Sequence, residues 1–183
     1  FAEIENCKNG LPSGIWLKCN SLVDHRLIGL LYEASQAGVP IEIMARGVCC
    51  LRPGVAGLSE TITVRSIIGR FLEHGRIYVF ANGGEFLSDK NIVMISSADL
   101  MPRNLRRRVE CFMRLENPTI RKQVLHQIMV ALLRDEKNAW YLQPDGSYVH
   151  LQTDETSFSC HEYFMSNPSL SGLGSLAGAQ DNG

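Results

Sequence analysis

His74 and Arg76 stand two residues apart at the entrance to an apolar run, Ile77-Tyr78-Val79-Phe80. In an extended chain, residues i and i+2 project from one face, so both side chains can aim at one bound group. An imidazole able to attack or to shuttle protons, beside a permanently charged guanidinium, suits phosphate chemistry. Ser96-Ser97-Ala98-Asp99 follows further along the chain. By itself, the spacing fits a partly exposed turn histidine better than a catalytic one.

The charge distribution adds to this pattern. The chain carries a net charge of −1, yet the stretch from Arg46 to Arg108 holds nine Arg and one Lys against five acids. The planar fork of Arg pairs with phosphate oxygens through two parallel hydrogen bonds, and a merely solvated surface would mix in more Lys. The middle of the chain is therefore expected to face a polyanion. Six cysteines, at positions 7, 19, 49, 50, 111 and 160, include no Cys-x-x-Cys pair. This argues against a zinc site or a disulfide scaffold and for reduced thiols in a cytoplasmic protein. Hydrophobic content of 45% supports a core. No apolar run reaches the length of a membrane span, and no basic-then-apolar leader with a cleavage site is visible.

The elements that must position these side chains can be read from period and punctuation. Ile15-Trp16-Leu17-Lys18-Cys19 reads as a strand. Asn20-Ser21 offers a cap, with Asp24 as first-turn acid, for a helix over 22–37 whose apolar residues recur with helical period. Gly38 ends that helix, and Pro40 leads into strand 41–45, which leaves Arg46-Gly47 at its carboxyl end. Such a strand–helix–strand unit predicts a parallel pair, whose carboxyl edge is where open α/β sheets bind ligands. Residues 61–67 alternate and are β-branched, a strand; 69–73 read as a short helical turn. Strands 77–80 and 92–95 form a hairpin through Asn82-Gly83-Gly84, and 109–113 read as the last strand of the sheet. Residues 102–108 make a basic loop or short helix. Asn117-Pro118 starts a long helix, and Pro144-Asp145-Gly146-Ser147 turns a small hairpin. Residues 1–14 are expected to be poorly ordered and 153–183 to form a flexible tail.

Several of these segments, in order, resemble the carboxy-terminal catalytic domain of the bacterial polyphosphate kinase family. They are Asn20-Ser21-Leu22-Val23-Asp24, Leu31-Tyr32-Glu33-Ala34-Ser35-Gln36-Ala37-Gly38-Val39, and Arg46-Gly47-Val48-Cys49-Cys50-Leu51-Arg52-Pro53-Gly54. Arg70-Phe71-Leu72-Glu73-His74, Ser96-Ser97-Ala98-Asp99-Leu100-Met101-Pro102-Arg103-Asn104 and Pro144-Asp145-Gly146-Ser147-Tyr148 complete the set. The resemblance spans roughly 15–152. It implies a phospholipase D-like α/β/α sandwich, a mixed sheet flanked by helices, with this chain as a single lobe of a two-lobed site. It further implies reversible transfer of the terminal phosphate of ATP to inorganic polyphosphate, through a phosphohistidine in the preceding lobe, outside this chain. Magnesium is the implied cofactor, with ligands outside the chain and no metal ligand within it. ATP, ADP and polyphosphate are the implied partners, with homo-oligomers of the full-length enzyme. Nucleic acid is not expected, and peripheral membrane association stays open. The fragment alone is expected to be inactive.

By the same resemblance, His74 is the assisting histidine, and Arg46 and His74 contact ATP phosphates. Arg76 occupies the lysine place of the superfamily's His-x-Lys, and Ser96 and Ser97 match the small polar residues that follow that motif. Arg106 stands where the family pattern expects an acid. By charge, Arg70, Arg76, Arg65, Arg103 and Arg107 are further candidates for phosphate or polyphosphate contacts, with Arg108 beside them. Arg70 and Arg76 could equally brace the sheet in an ion pair with Glu73 or Asp99. Asp99 and Asn104 are expected to orient their loop. His25, His126, His150 and His161 have no partner at ligand spacing and read as structural or solvated. Two rival readings remain: a phospholipase D-like phosphodiesterase, which expects a full His-x-Lys motif, and a non-catalytic polyanion-binding module.

Overall fold

The computed structural model describes residues 1–167. Its centre is an eight-stranded mixed sheet in the order β6-β5-β4-β1-β2-β3-β7-β8. Strands β1 (Ile15–Cys19) and β2 (Ile41–Ala45) run parallel, as the strand–helix–strand reading expects, and β3 (Ile62–Ile67) joins parallel to β2. Strand β4 (Ile77–Phe80) pairs antiparallel with β1 and carries β5 (Ile92–Ser96) and β6 (Phe112–Arg114) outward, so β6 closes one edge. It is not the last strand of the sheet. The small hairpin β7 (Ala139–Leu142) and β8 (Tyr148–His150) joins the other edge, because β7 pairs antiparallel with β3.

Alternation along the strands assigns the two faces. Ile15, Leu17, Ile41, Ile43, Ile62 and Val64 pack with Ile28, Leu31 and Ala34 of helix α2 (His25–Gln36). The intervening positions Met44, Ile67, Ile77, Val79 and Val93 pack with Leu125, Met129 and Leu132. Those three belong to one continuous helical segment: α4 (Pro118–Lys122), a π-helical stretch (Gln123–Met129) and α5 (Val130–Leu133). The result is the expected α/β/α sandwich. No helix among the described residues is long and apolar enough to cross a membrane.

Four local expectations are corrected. Helix α2 starts at His25, capped by the Asp24 carboxylate, which accepts from the Arg26 and Leu27 amides. Ser21 does not cap it, because Leu22 and Val23 donate their backbone N–H groups to Val48 and Leu100 and stay extended. The start of the chain forms helix α1 (Ala2–Lys8), held because buried Glu3 accepts hydrogen bonds from the Gly14 and Asn82 amides. Residues 69–73 bend without forming a helical turn. Within the expected tail, helix α6 (Cys160–Ser166) docks through buried Cys160 and His161. Residues 168–183 of that tail lie outside the described residues. Helix α3 (Pro102–Arg107) replaces the alternative of a loop.

Candidate active site

One edge of the sheet gathers the predicted residues. The carboxyl ends of β1, β2 and β5 and the amino end of β4 all meet there, since β4 runs against β1. Arg46 follows β2 directly, and its amide donates to the Cys19 carbonyl at the end of β1. Gly47 then passes so close to Asn20 that a Cβ at this position would lie 3.0 Å from the Asn20 carbonyl oxygen. Glycine is what allows the backbone to turn away here, with its N–H donating to that same carbonyl. Arg76 enters β4 on the other side of β1. Arg46 and Arg76 thus stand two strand spacings apart, about 10 Å.

A polar chain ties them together. Arg76 donates from Nε to Asp99 Oδ1 at 3.2 Å and from Nη2 to Asp99 Oδ2 at 3.0 Å, the bidentate geometry that suits guanidinium and carboxylate. Asp99 also accepts from the Asn20 backbone N–H at 2.9 Å and from the Asn20 side-chain amide. The Asn20 Oδ1 in turn accepts from Arg46 Nε at 3.1 Å. Burial of Asp99 works to raise its pKa, but the Arg76 and Asn20 hydrogen bonds and the Arg76 charge outweigh it. The carboxyl is held below its ordinary range. Beside it, burial and the Asp99 charge push the Cys19 thiol up to about 12, so this cysteine is an inert core group.

The arginines differ in what remains free. Arg46 uses only Nε, and neither terminal nitrogen has a partner among the described residues. Arg76 is fully committed, because its Nη1 donates to the His74 carbonyl at 3.0 Å. Of the two readings open for Arg76, the structure takes the brace to Asp99. Arg65 is corrected outright: it lies on β3 with its face toward α5, 7% exposed. It donates to the Leu133 carbonyl and to Glu42 Oε2, with its guanidinium over the Tyr141 ring. It cannot line a polyphosphate path. Arg70 is exposed with its guanidinium against the Phe71 ring, and Arg103, Arg107 and Arg108 are exposed on or after α3 without an ion pair among the described residues. Arg106 caps the site's flank by pairing with Asp24, the α2 N-cap, which explains a base at this position.

His74 is exposed, and its ring has no hydrogen-bond partner among the described residues. Its neighbours are anchored. Lys18 Nζ donates to the Gly75 carbonyl at 3.1 Å and forms an ion pair with Glu73 at 3.2 Å. The other Glu73 oxygen lies 3.1 Å from His161 Nε2. Lys18 is a strand residue and His161 a structural one, as expected, and both are buried, at 3% and 2% exposure; their link through Glu73 carries no signal in the sequence. The Ser96 hydroxyl donates to the Cys111 carbonyl and that of Ser97 to Glu110, so both fasten the β5–β6 connection. Asn104 also reaches Glu110, orienting the loop as expected.

Among the described residues no group of three or more His, Cys, Asp or Glu is arranged to hold a metal ion, and both Asp99 oxygens face Arg76 and Asn20. The described residues do not by themselves form a carboxylate cage for magnesium. A separate groove of about 490 Å³ on the α2 face, lined by Leu17, Leu27, Leu30, Met94 and Phe112 among others, includes none of the arginines nor His74. It lacks the cations a phosphate needs.

Comparison with known proteins gives a consistent result. The family model described as polyphosphate kinase C-terminal domain 2 matches residues 2–161. A polyphosphate kinase of Erythrobacter litoralis is 55% identical over 172 residues, covering 94% of this chain and 24% of that protein. One from Synechocystis sp. is 53% identical over 147 residues, covering 80% of this chain and 19% of that protein. The crystal structure of polyphosphate kinase from Porphyromonas gingivalis superimposes with a TM-score of 0.83 at 35% identity, over 91% of this chain and 25% of that one. The chain thus spans a quarter or less of the length of these relatives.

Proposed function

The chain belongs to the polyphosphate kinase family, as its C-terminal domain 2, and on that footing we propose that it supplies one lobe of an ATP–polyphosphate phosphotransferase site. The observation that carries this reading is that, among the described residues, the terminal nitrogens of Arg46 have no partner at the sheet edge that also presents the His74 ring, likewise without one. Arg46 Nη1 and Nη2 hold non-bridging oxygens of the ATP phosphates through charge-assisted hydrogen bonds. Asn20 fixes the Arg46 side chain at Nε, so little rotamer freedom is lost on binding.

In this reading the terminal phosphorus of ATP is attacked by a histidine of the preceding lobe, outside this chain. The bond to the ADP oxygen breaks, and a P–N bond forms. The terminal oxygen of polyphosphate then displaces that histidine, and the reverse sequence remakes ATP. His74 holds or moves a proton at a ring nitrogen facing the phosphate oxygens, a role worth about 10²–10⁴ in rate. Positioning and charge neutralisation supply most of the rest. Exposed Arg70, Arg103 and Arg107 lie along the polyphosphate approach. A magnesium ion, a cytoplasmic location and assembly into homo-oligomers would belong to the full-length enzyme, with the metal's protein ligands outside this lobe. The six unpaired cysteines support that compartment. The phosphodiesterase alternative needs a free cation two residues after His74, and Arg76 is committed to Asp99.

The test is Arg46→Ala in the full-length enzyme. A hydrogen bond to a charged group contributes about 1.5–3 kcal/mol, so loss of the equivalent of one such bond should raise the KM for ATP about 10–100-fold. An unchanged KM for ATP would overturn the assignment.

A further inference from the structure

His74 lies on a segment, residues 68–76, that has no regular secondary structure. Such a segment ordinarily moves, yet a group acting on a phosphate has to be held within a fraction of an ångström. The means of holding it is buried beneath the segment. The Phe71 amide donates to His161 Nδ1 at 3.4 Å, and the Phe71 ring meets the His161 ring edge-on at 5.4 Å between centroids. Since Nδ1 accepts, the proton of His161 sits on Nε2 and is donated to Glu73 Oε1. Glu73 Oε2 pairs with Lys18 Nζ, and Lys18 donates onward to the Gly75 carbonyl. The string closes on both sides of His74, at residues 73 and 75.

The far end of the string is equally fixed. A Cβ at position 69 would lie 2.5 Å from Asn138 Oδ1 and 2.6 Å from His161 Nδ1, so only glycine lets the segment seat this closely. Asp135 accepts from the Cys160 amide at 2.7 Å and from the Asn138 side chain at 2.9 Å, which locks the start of α6 to the start of β7. Lys18 sits on β1 in the middle of the sheet. The segment carrying His74 is thereby clamped between the sheet and α6.

We propose that the buried string His161–Glu73–Lys18 positions His74 for phosphoryl transfer, with α6 as the clamp and His161 as a positioning residue that never touches substrate. This rests on the reading of His74 given above. Removing the His161 imidazole frees the segment on one side without touching Arg46, so the proposal separates the rate from ATP binding.

The experiment uses the full-length enzyme with His161→Ala, His161→Gln and Glu73→Gln, and with Leu132→Ala as a buried change elsewhere in the core. His161→Ala should lower kcat for ATP-dependent chain growth about tenfold, with the KM for ATP moved less than about twofold. His161→Gln, whose amide can still donate to Glu73, should recover most of that loss. Leu132→Ala, at a similar loss of thermal stability, should leave kcat near that of the parent. If His161→Ala fails to fold, Glu73→Gln carries the test, because it keeps the side-chain shape and removes the charge that Lys18 pairs with. Its kcat should fall severalfold at constant KM. Unchanged kcat in a folded His161→Ala or Glu73→Gln variant, or equal losses in His161→Ala and Leu132→Ala, would overturn the proposal. His74→Ala run in parallel keeps the two readings apart: loss of activity there with full activity in His161→Ala refutes only the positioning role, whereas full activity in His74→Ala refutes the catalytic reading itself.

Discussion

Arg46 and Arg76 flank the end of the same strand and reach the same Asp99–Asn20 pair, yet they end in opposite states. Arg46 touches Asn20 with one nitrogen and has no partner for the other two among the described residues; Arg76 has Nε and Nη2 on Asp99 and Nη1 on the His74 carbonyl. His74 and His161 repeat the contrast on the two sides of one segment, the first exposed and the second buried in a pair with Glu73. In the proposed reading, residue type alone does not mark the groups that meet phosphate. What decides is whether its polar atoms are already satisfied, and each free group is held in place by a committed one.

That contrast can be broken first at Asp99. Asp99→Ala leaves the Arg76 guanidinium, 14% exposed, without its carboxylate. Loss of one partner of a buried pair costs about 3–5 kcal/mol, to be read from urea unfolding. Activity should fall as well, because Arg76 then no longer fixes the His74 backbone. The same residue gives an acid signature. Asp99 and Asp24 both titrate below their ordinary range: burial opposes this, but Arg76 and Asn20 prevail at Asp99, and the Leu27 amide and the Arg106 charge prevail at Asp24. The stability they confer is complete above the unfolded carboxylate pKa of about 4 and is lost as pH falls through the lower folded values. Asp99→Asn should therefore show a shallower loss of stability below about pH 4 than the parent protein.

A smaller effect is expected at Arg65, a committed arginine whose side chain faces Glu42 and Leu133 and not the site. Arg65→Met should cost about 1–3 kcal/mol, since it removes the Glu42 and Leu133 bonds while keeping the apolar stem. Turnover per folded molecule should stay within about twofold of the parent. A rise in the KM for ATP matching that of Arg46→Ala would erase the distinction between free and committed arginines.

Much of the frame was legible in the sequence because it depends on local signals. Gly38 at φ +93° ends α2, β-branched alternation marks β3, and Asn117 caps the helix at Pro118. The edge position of Arg46 and His74 followed from the strand–helix–strand unit and from the family motifs. What was missed depends on partners far away in the chain. His161 lies 88 residues from Glu73, and although Phe158, Cys160, Tyr163 and Phe164 around it are apolar, nothing in the local sequence identifies Glu73 as the partner of the ring. Arg65 and Arg76 both sit in the arginine-rich stretch, and only strand facing and the position of Asp99 separate a brace from a ligand. The helix at the start of the chain escaped notice for the same reason, since buried Glu3 is satisfied by Gly14 and Asn82 amides across the fold.

The most direct test of the central claim is the kcat of ATP-dependent polyphosphate synthesis by the full-length enzyme carrying His74→Ala. The free imidazole at the clamped edge predicts a loss of about 10²–10⁴-fold with the fold intact. Synthesis within about twofold of the parent would contradict it.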